Sequence, residues 1–166
     1  IVIAGNHDLG LDPAKSNMWR LNELFLTSIP NVRYLNDSGT TINGIKFWGS
    51  PITPFFYNWA FNRHPEEIAS HWALIPNDCN CLITHGPPKG YRDAGLGCGR
   101  LKEVVENLPD LRMHVFGHIH PPAGVSRIDN VQYVNAAQCT IQDNKYVLTH
   151  EPFVVELDEN INTSSP

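Results

Sequence analysis

The sequence predicts an α/β fold in which two mixed β-sheets face each other and helices lie on the outside. Three short apolar runs, at residues 1–4, 82–83 and 115–116, are partly β-branched, and each ends in a polar loop. Such runs are typical of strands buried in a sheet. Segments with apolar residues at helical spacing lie between them, and the C-terminal part alternates apolar runs with turns. Neither a repeat nor a linker interrupts the 166 residues, so we expect one domain.

In the first half of the chain the pattern predicts two helices and a hairpin. Residues 12–28 have apolar positions at helical spacing, and Pro30 ends this helix. Residues 32–35 read as a strand. The Asn43-Gly44 step between two apolar runs predicts a β-hairpin. A long aromatic loop follows, and Pro65 suits the first turn of the second helix.

The second half is predicted to supply two buried strands, Cys81–Thr84 and Met113–Phe116, with a helix over residues 100–107 between them. Three later segments alternate with turns and are expected to form antiparallel strands of the second sheet: Gly124–Ile128, Val131–Asn135 and residues 152–157. Residues 159–166 are polar and are predicted to be a frayed tail.

The composition of the chain limits the classes of partner that we expect it to bind. The net charge is −5, and the 12 basic residues are not clustered, whereas a protein that binds long nucleic acid usually shows a basic footprint. No apolar stretch approaches the roughly 20 residues that a membrane span needs. We therefore expect a small-molecule partner, with no long nucleic acid and no membrane; the oligomeric state stays open. Reduced cysteines are the default reading, which predicts a cytoplasmic protein.

Histidine motifs follow the predicted strands. Gly5-Asn6-His7-Asp8 follows the first apolar run, Thr84-His85-Gly86 the second, and Gly117-His118-Ile119-His120 the third. Ligand sites in open α/β sheets form where the carboxyl ends of strands converge. Imidazole suits Mn, Fe and Zn, and an Asn carbonyl oxygen adds a neutral ligand. The three motifs therefore predict one metal centre assembled from distant segments.

The order of these motifs resembles that of the calcineurin-like metallophosphoesterases. That superfamily carries five blocks, D-x-H, G-D-x-x-D, G-N-H-[DE], a G-H or T-H block, and G-H-x-H, and the last three stand here in order. The resemblance covers residues 1–158 as one domain and is closest to the metallophosphoesterase-domain-containing, class III phosphodiesterase-like branch. The residues that carry it are Gly49-Ser50-Pro51-Ile52-Thr53-Pro54, Thr84-His85-Gly86-Pro87-Pro88 and Tyr133-Val134-Asn135-Ala136-Ala137.

The resemblance implies a role for each motif residue. Asn6, His85 and His118 correspond to ligands of one metal ion, and His120 corresponds to a ligand of the other. His7 corresponds to the general acid that contacts the phosphate and protonates the leaving oxygen. Asp8 would hold the far nitrogen of that ring. Two divalent ions (Mn, Fe or Zn) would activate the attacking water in the complete enzyme.

The first two blocks do not precede the G-N-H-D motif. We therefore expect the chain to be the C-terminal portion of a longer enzyme, a fragment whose first βαβ unit is missing. One metal site keeps three ligands and the other keeps only His120, so at most one ion should be held well, and the chain alone should be weakly active or inactive. Residues 1–4 would then present an unpaired apolar edge.

The predicted function is a metal-dependent phosphoester hydrolase, and the resembled branch implies a phosphodiesterase for small nucleotide-like substrates. A catalytically idle binding module derived from such an enzyme is the alternative from another class. A repair-type nuclease of the same superfamily is disfavoured by the acidic balance. A structural zinc protein is a further alternative, but the four cysteines lie on unrelated segments.

Candidates for substrate contact come from two loops. Tyr91 and Arg92 follow the Thr84-His85-Gly86 loop, and Arg92 could clamp a phosphate, although an ion pair with Asp93 is an equal alternative. Trp59 belongs to the aromatic run of residues 55–61. That run either stacks on a base or aryl group of the substrate or packs the loop against the core.

Overall fold

The computed structural model describes residues 1–157 of the chain, so the predicted tail at 159–166 lies outside the described residues. A short 3₁₀ helix, Leu9–Leu11, precedes three α-helices and ten strands among the described residues. The helices are α1 (Trp19–Ser28), α2 (Pro65–Trp72) and α3 (Gly99–Val105). The strands are β1 (Ser38–Ile42), β2 (Ile45–Ser50), β3 (Thr53–Pro54), β4 (Asn62–Arg63), β5 (Cys81–Thr84), β6 (Met113–Phe116), β7 (Gly124–Ile128), β8 (Val131–Asn135), β9 (Cys139–Gln142) and β10 (Lys145–Leu148).

Six strands form one mixed sheet in the order β1-β2-β5-β6-β8-β7, which confirms the predicted α/β class. Strands β2, β5, β6 and β8 are parallel to one another, while β1 and β7 add antiparallel edges. The β1–β2 turn has Asn43 and Gly44 at positive φ, as a two-residue hairpin turn of this kind requires. The predicted hairpin is thereby confirmed.

The C-terminal strands differ from the expected second sheet. Strands β7 and β8 extend the main sheet, because β8 pairs in parallel with β6 and buries Tyr133, Val134 and Asn135. The additional sheets among the described residues are the two-stranded pairs β3–β4 and β9–β10. Residues 152–157 have no strand, contrary to the prediction.

The N-terminal third also departs from the pattern. Helix α1 begins at Trp19 rather than at residue 12, because the Asp12 carboxylate accepts the backbone N–H of Ala14 (2.9 Å) and of Phe61 (2.7 Å) and holds a turn there. The predicted strands at 1–4 and 32–35 reduce to a single parallel bridge between Val2 and Tyr34. Of the first four residues Ala4 alone is buried.

The core lies between the sheet and helices α2 and α3. Its fully buried members include Phe61, Trp72, Leu82 and Leu101. One polar pair lies among them: Nε2 of His114 is 2.8 Å from the Thr84 hydroxyl, which donates to the Gly86 carbonyl (2.7 Å). His114 therefore fixes the backbone just beyond β5, where a histidine motif begins. Within residues 1–157, the helices are too short or too polar to form a membrane span.

Candidate metal centre

Three predicted ligands, Asn6, His85 and His118, meet at the carboxyl end of the sheet. His85 follows β5 directly, and His118 lies two residues beyond β6. Nε2 of His85 is hydrogen-bonded to Oδ1 of Asn6 at 2.7 Å. The His85 and His118 rings lie with their centroids 4.6 Å apart. Asn6 lies in a turn after Gly5 and is only 4% exposed, so its side chain is buried against His85.

Gly5 makes the approach of His85 to Asn6 possible. A Cβ on residue 5 would lie 2.5 Å from Cε1 and 2.8 Å from Nδ1 of His85, closer than any real side chain tolerates. The backbone around Asn6 is held as well, because its carbonyl accepts the N–H of Ala60 (3.1 Å). The glycine is therefore part of the site, since it leaves the space that the imidazole fills.

The histidine motif after β6 turns away from the strand. His118 has φ +67, in the left-handed region that residues other than glycine rarely adopt. The Asn135 side chain, fully buried at the end of β8, donates to the Ile119 carbonyl (2.7 Å) and accepts from Ala137 N–H (3.1 Å). A strained residue held by buried hydrogen bonds is typical of a functional loop.

Burial keeps the two converging imidazoles neutral. It is the main cause that lowers the pKa of His85 to about 3, together with positive charge on His118 and His7. Burial is also the main cause that lowers the pKa of His118, followed by the influence of His120 and His7. Neutral imidazole is the form that binds a metal ion.

His7 and His120 flank this cluster. The His7 ring is exposed and packs against Trp59, with ring centroids 4.3 Å apart. The His120 ring lies edge-on to Tyr146 of β10 at 5.7 Å. Both histidines lie close enough to His118 for their charge to lower its pKa. Trp59 therefore contacts His7, and its contact with a substrate stays a prediction.

The arrangement of motifs agrees with comparison against known proteins. A family model described as calcineurin-like phosphoesterase matches residues 1–122. The chain belongs to this family. Metallophosphoesterase domain-containing protein 1 from Homo sapiens is 37% identical and is matched over 95% of this chain and 54% of its own length. A UPF0046 protein from Caenorhabditis elegans is 38% identical over 84% of this chain and 51% of its own length.

The chain thus spans about half the length of these relatives. One solved structure superposes with a TM-score of 0.60 at 18% identity, covering 92% of this chain and 65% of the other. At that identity the likeness supports the fold alone.

The donors that meet at this cluster have the chemistry to hold a divalent ion. Asn6, His85 and His118 offer one amide oxygen and two imidazoles, a donor set that Mn, Fe and Zn accept. Among residues 1–157, no group of three or more His, Cys, Asp or Glu side chains is placed to hold a metal. The third donor of the cluster is therefore an asparagine.

Two of the predicted substrate contacts have partners within the protein. The Arg92 guanidinium donates to the backbone carbonyls of Pro122, Ala123 and Val125 (2.7–3.4 Å), so it holds the loop after His120, and its contact with a phosphate stays a prediction. The alternative partner, Asp93, instead accepts the N–H groups of Gly90 and Gly97, at 3.0 Å each.

Tyr91 is a core residue. Its ring stacks on Tyr133 at 4.2 Å, and its hydroxyl donates to Glu106 (2.6 Å), which turns it away from the metal centre.

Asp8 has a different partner from the expected one. Its carboxylate accepts the Gly5 N–H at 2.7 Å, which closes the turn that carries Asn6 and His7. The predicted bond from Asp8 to the His7 ring is absent among the described hydrogen bonds. Asp8 therefore positions the motif through its backbone.

Asn135 and Tyr146 contact the site, but the sequence analysis assigned neither of them a role there. Asn135 belongs to the Tyr133–Ala137 stretch that carried the resemblance, and an asparagine ending an apolar strand was a usable signal. Tyr146 gave no signal, because its approach to His120 depends on how the β9–β10 pair folds over the loop.

Proposed function

We propose that this chain acts on phosphoester bonds with a divalent metal ion held by Asn6, His85 and His118. The observation that carries the proposal is the convergence of these side chains: a 2.7 Å contact between Asn6 and His85, and 4.6 Å between the two imidazole rings. Membership of the calcineurin-like phosphoesterase family supports hydrolase chemistry at that place. His120 would contribute to a second ion, the one this chain holds less well.

When bound, the ion would supply electrophilic stabilisation of the phosphoryl oxygens and lower the pKa of a nearby water. The chain's own residues would supply the proton for the leaving group and hold the proton donor in position. His7 is exposed at the mouth of the centre, where its ring can donate a proton to the leaving oxygen. Trp59 packs on one side of that ring and limits its rotation, while Asp8 holds the turn below it.

More specifically, we propose a phosphodiesterase activity on small, nucleotide-like substrates. This substrate class comes from the branch that the sequence resembles, and the name of the human relative states only a metallophosphoesterase domain. The formal net charge of −5 supports a small substrate over a long polynucleotide. We propose Mn, Fe or Zn as the ion, since each accepts this donor set.

A catalytically idle binding module is the second candidate. It is favoured by the absence, among the described residues, of a carboxylate-containing cluster able to hold a metal. Such a module would bind a phosphoester at the same ion and release it unchanged.

The test is hydrolysis of bis(4-nitrophenyl) phosphate and of 4-nitrophenyl phosphate by the chain with added Mn²⁺. We expect slow release of 4-nitrophenolate, because the chain holds one ion well and the second poorly. The release should favour the diester, stop on addition of a chelator and be absent in His85→Ala. His150→Ala changes an exposed histidine away from the cluster and should keep the rate. Turnover that survives both the chelator and His85→Ala would contradict the proposal. Tight phosphate binding without turnover would favour the binding module.

A further inference from the structure

A small apolar cavity of about 190 Å³ opens directly beside the metal centre. Its lining includes Gly86 and His118 of the histidine motifs, and Phe55, Phe56, Leu96 and Ile119. The cavity therefore adjoins one of the proposed ligands, next to the place where a phosphoryl group would lie. An ester arm of a bound phosphodiester is the part of the substrate that would reach it.

The size of the cavity selects a single ring. An engineered protein cavity of about 150 Å³ is known to hold benzene, so about 190 Å³ accommodates one six-membered ring with a small substituent. A purine nucleoside is considerably larger. The two phenylalanines present aromatic surface on which a flat ring can pack.

The walls offer few hydrogen bonds to a ligand, because their polar groups are already used within the protein. The Gly86 carbonyl accepts the Thr84 hydroxyl (2.7 Å), and the Phe56 N–H donates to Asn62 (2.9 Å). The Cys98 N–H donates to the Pro87 carbonyl (2.9 Å). A nucleobase would lose hydration at its polar edge and gain no partner in return, whereas an apolar ring loses nothing.

We infer that this cavity, hereafter the ring pocket, binds a monocyclic aryl arm of the phosphodiester substrate. The inference rests on the proposed metal-dependent hydrolysis, because the phosphoryl group must sit at Asn6, His85 and His118 for its ester arm to enter. It replaces the nucleotide-like substrate class with phosphodiesters whose arm on this side is a single aryl ring. Phe55, Phe56 and Leu96 are 45%, 56% and 69% exposed, so they leave one side of the ring open to solvent. The metal centre binds the phosphoryl group of every substrate in the same way, so the ring in this pocket decides which substrate binds more tightly.

The test compares binding of phenylphosphonate and methylphosphonate to the Zn²⁺-loaded chain by calorimetry. Both share the phosphonate group, and they differ by five carbons. Each buried carbon tightens binding by roughly fourfold, so burial of about half of them predicts that phenylphosphonate binds roughly 30-fold more tightly. Leu96→Gln should reduce this preference at least threefold and leave methylphosphonate unchanged. Leu74→Gln is the matched control, since Leu74 is also exposed and does not line the pocket.

The outcomes separate the two proposals. Equal affinity for both phosphonates would overturn the ring pocket and leave the metal-held phosphoryl group intact. If neither phosphonate binds, the proposed function fails. In that case, phenol is titrated into the zinc-free chain and followed by NMR, which tests the ring pocket independently of the metal. Shifts of the Leu96 and Ile119 methyl resonances would support the ring pocket, and unchanged resonances would overturn it. Tighter binding of a nucleoside phosphonate than of phenylphosphonate would also contradict the single-ring inference.

Discussion

Replacing Gly5 with alanine should loosen the metal centre through a direct steric effect on His85. The new Cβ would lie 2.5 Å from Cε1 of the ring, whereas ordinary van der Waals contact is 3.4–4 Å. The ring would have to retreat by about 0.9 Å (3.4 − 2.5), which takes Nε2 away from Asn6. Disturbing the support of a ligand costs roughly 10- to 100-fold in metal affinity. Overpacking should also lower the free energy of unfolding by about 1–3 kcal/mol.

Zinc affinity measured by competition with a chromophoric chelator gives the first quantity, and urea titration gives the second. Gly99→Ala is the matched control, because a Cβ at the start of α3 meets no heavy atom within 4 Å. We expect Gly99→Ala to bind zinc as the unchanged chain does. Equal zinc affinity for the two alanine variants would refute the reasoning, since it would show that the close approach of His85 to residue 5 does not matter.

Three further predictions concern the proton donor, the loop and pH. His7→Gln should lower kcat for a phosphodiester by roughly 10²- to 10⁴-fold without changing zinc affinity, and a matching loss of zinc affinity would contradict its role as acid. Asn135→Ala leaves the Ile119 carbonyl without its buried donor and should lower the free energy of unfolding in urea by about 2–4 kcal/mol; a change below about 1 kcal/mol would argue against the clamp. Burial lowers the pKa of His114 to about 3 from 6.5, so its contribution to stability is complete above pH 6.5 and is lost as the pH falls toward 3. Between pH 7 and pH 5 that loss is about 2 kcal/mol, so the fall in the free energy of unfolding in urea over this range should be smaller by about this amount in His114→Phe, whose ring would still pack against Phe116 and Tyr133; an equal fall in both proteins would contradict it.

The sequence predicted those parts of the fold that depend on local chemistry. Asn43-Gly44 specified its hairpin because few other residue pairs accept positive φ at both positions. The motifs at His85 and His118 were expected at strand ends, and they meet there because β5 and β6 are parallel neighbours. Parallel pairing brings their carboxyl ends to one edge of the sheet.

The errors arose where distant residues decide the structure. The start of α1 is set by Asp12 bonding to Phe61, 49 positions away, and no local pattern shows this contact. Arg92 was expected to clamp a phosphate because it follows the Thr84-His85-Gly86 loop. Its carbonyl partners lie about 30 residues later in the chain, so no local pattern shows these contacts. Strand β8 belongs to the main sheet because it pairs with β6. The alternation of polar and apolar residues predicts a strand but does not determine which strand it pairs with.

The most direct test of the central claim is an anomalous difference map from crystals of the chain grown with Zn²⁺. The account predicts a peak between Asn6, His85 and His118, with zinc–nitrogen distances of about 2.0–2.1 Å to both imidazoles. The peak should disappear in His85→Ala crystals grown under the same conditions. A zinc ion bound elsewhere, or none at this cluster at saturating concentration, would contradict the claim that these side chains form a metal centre.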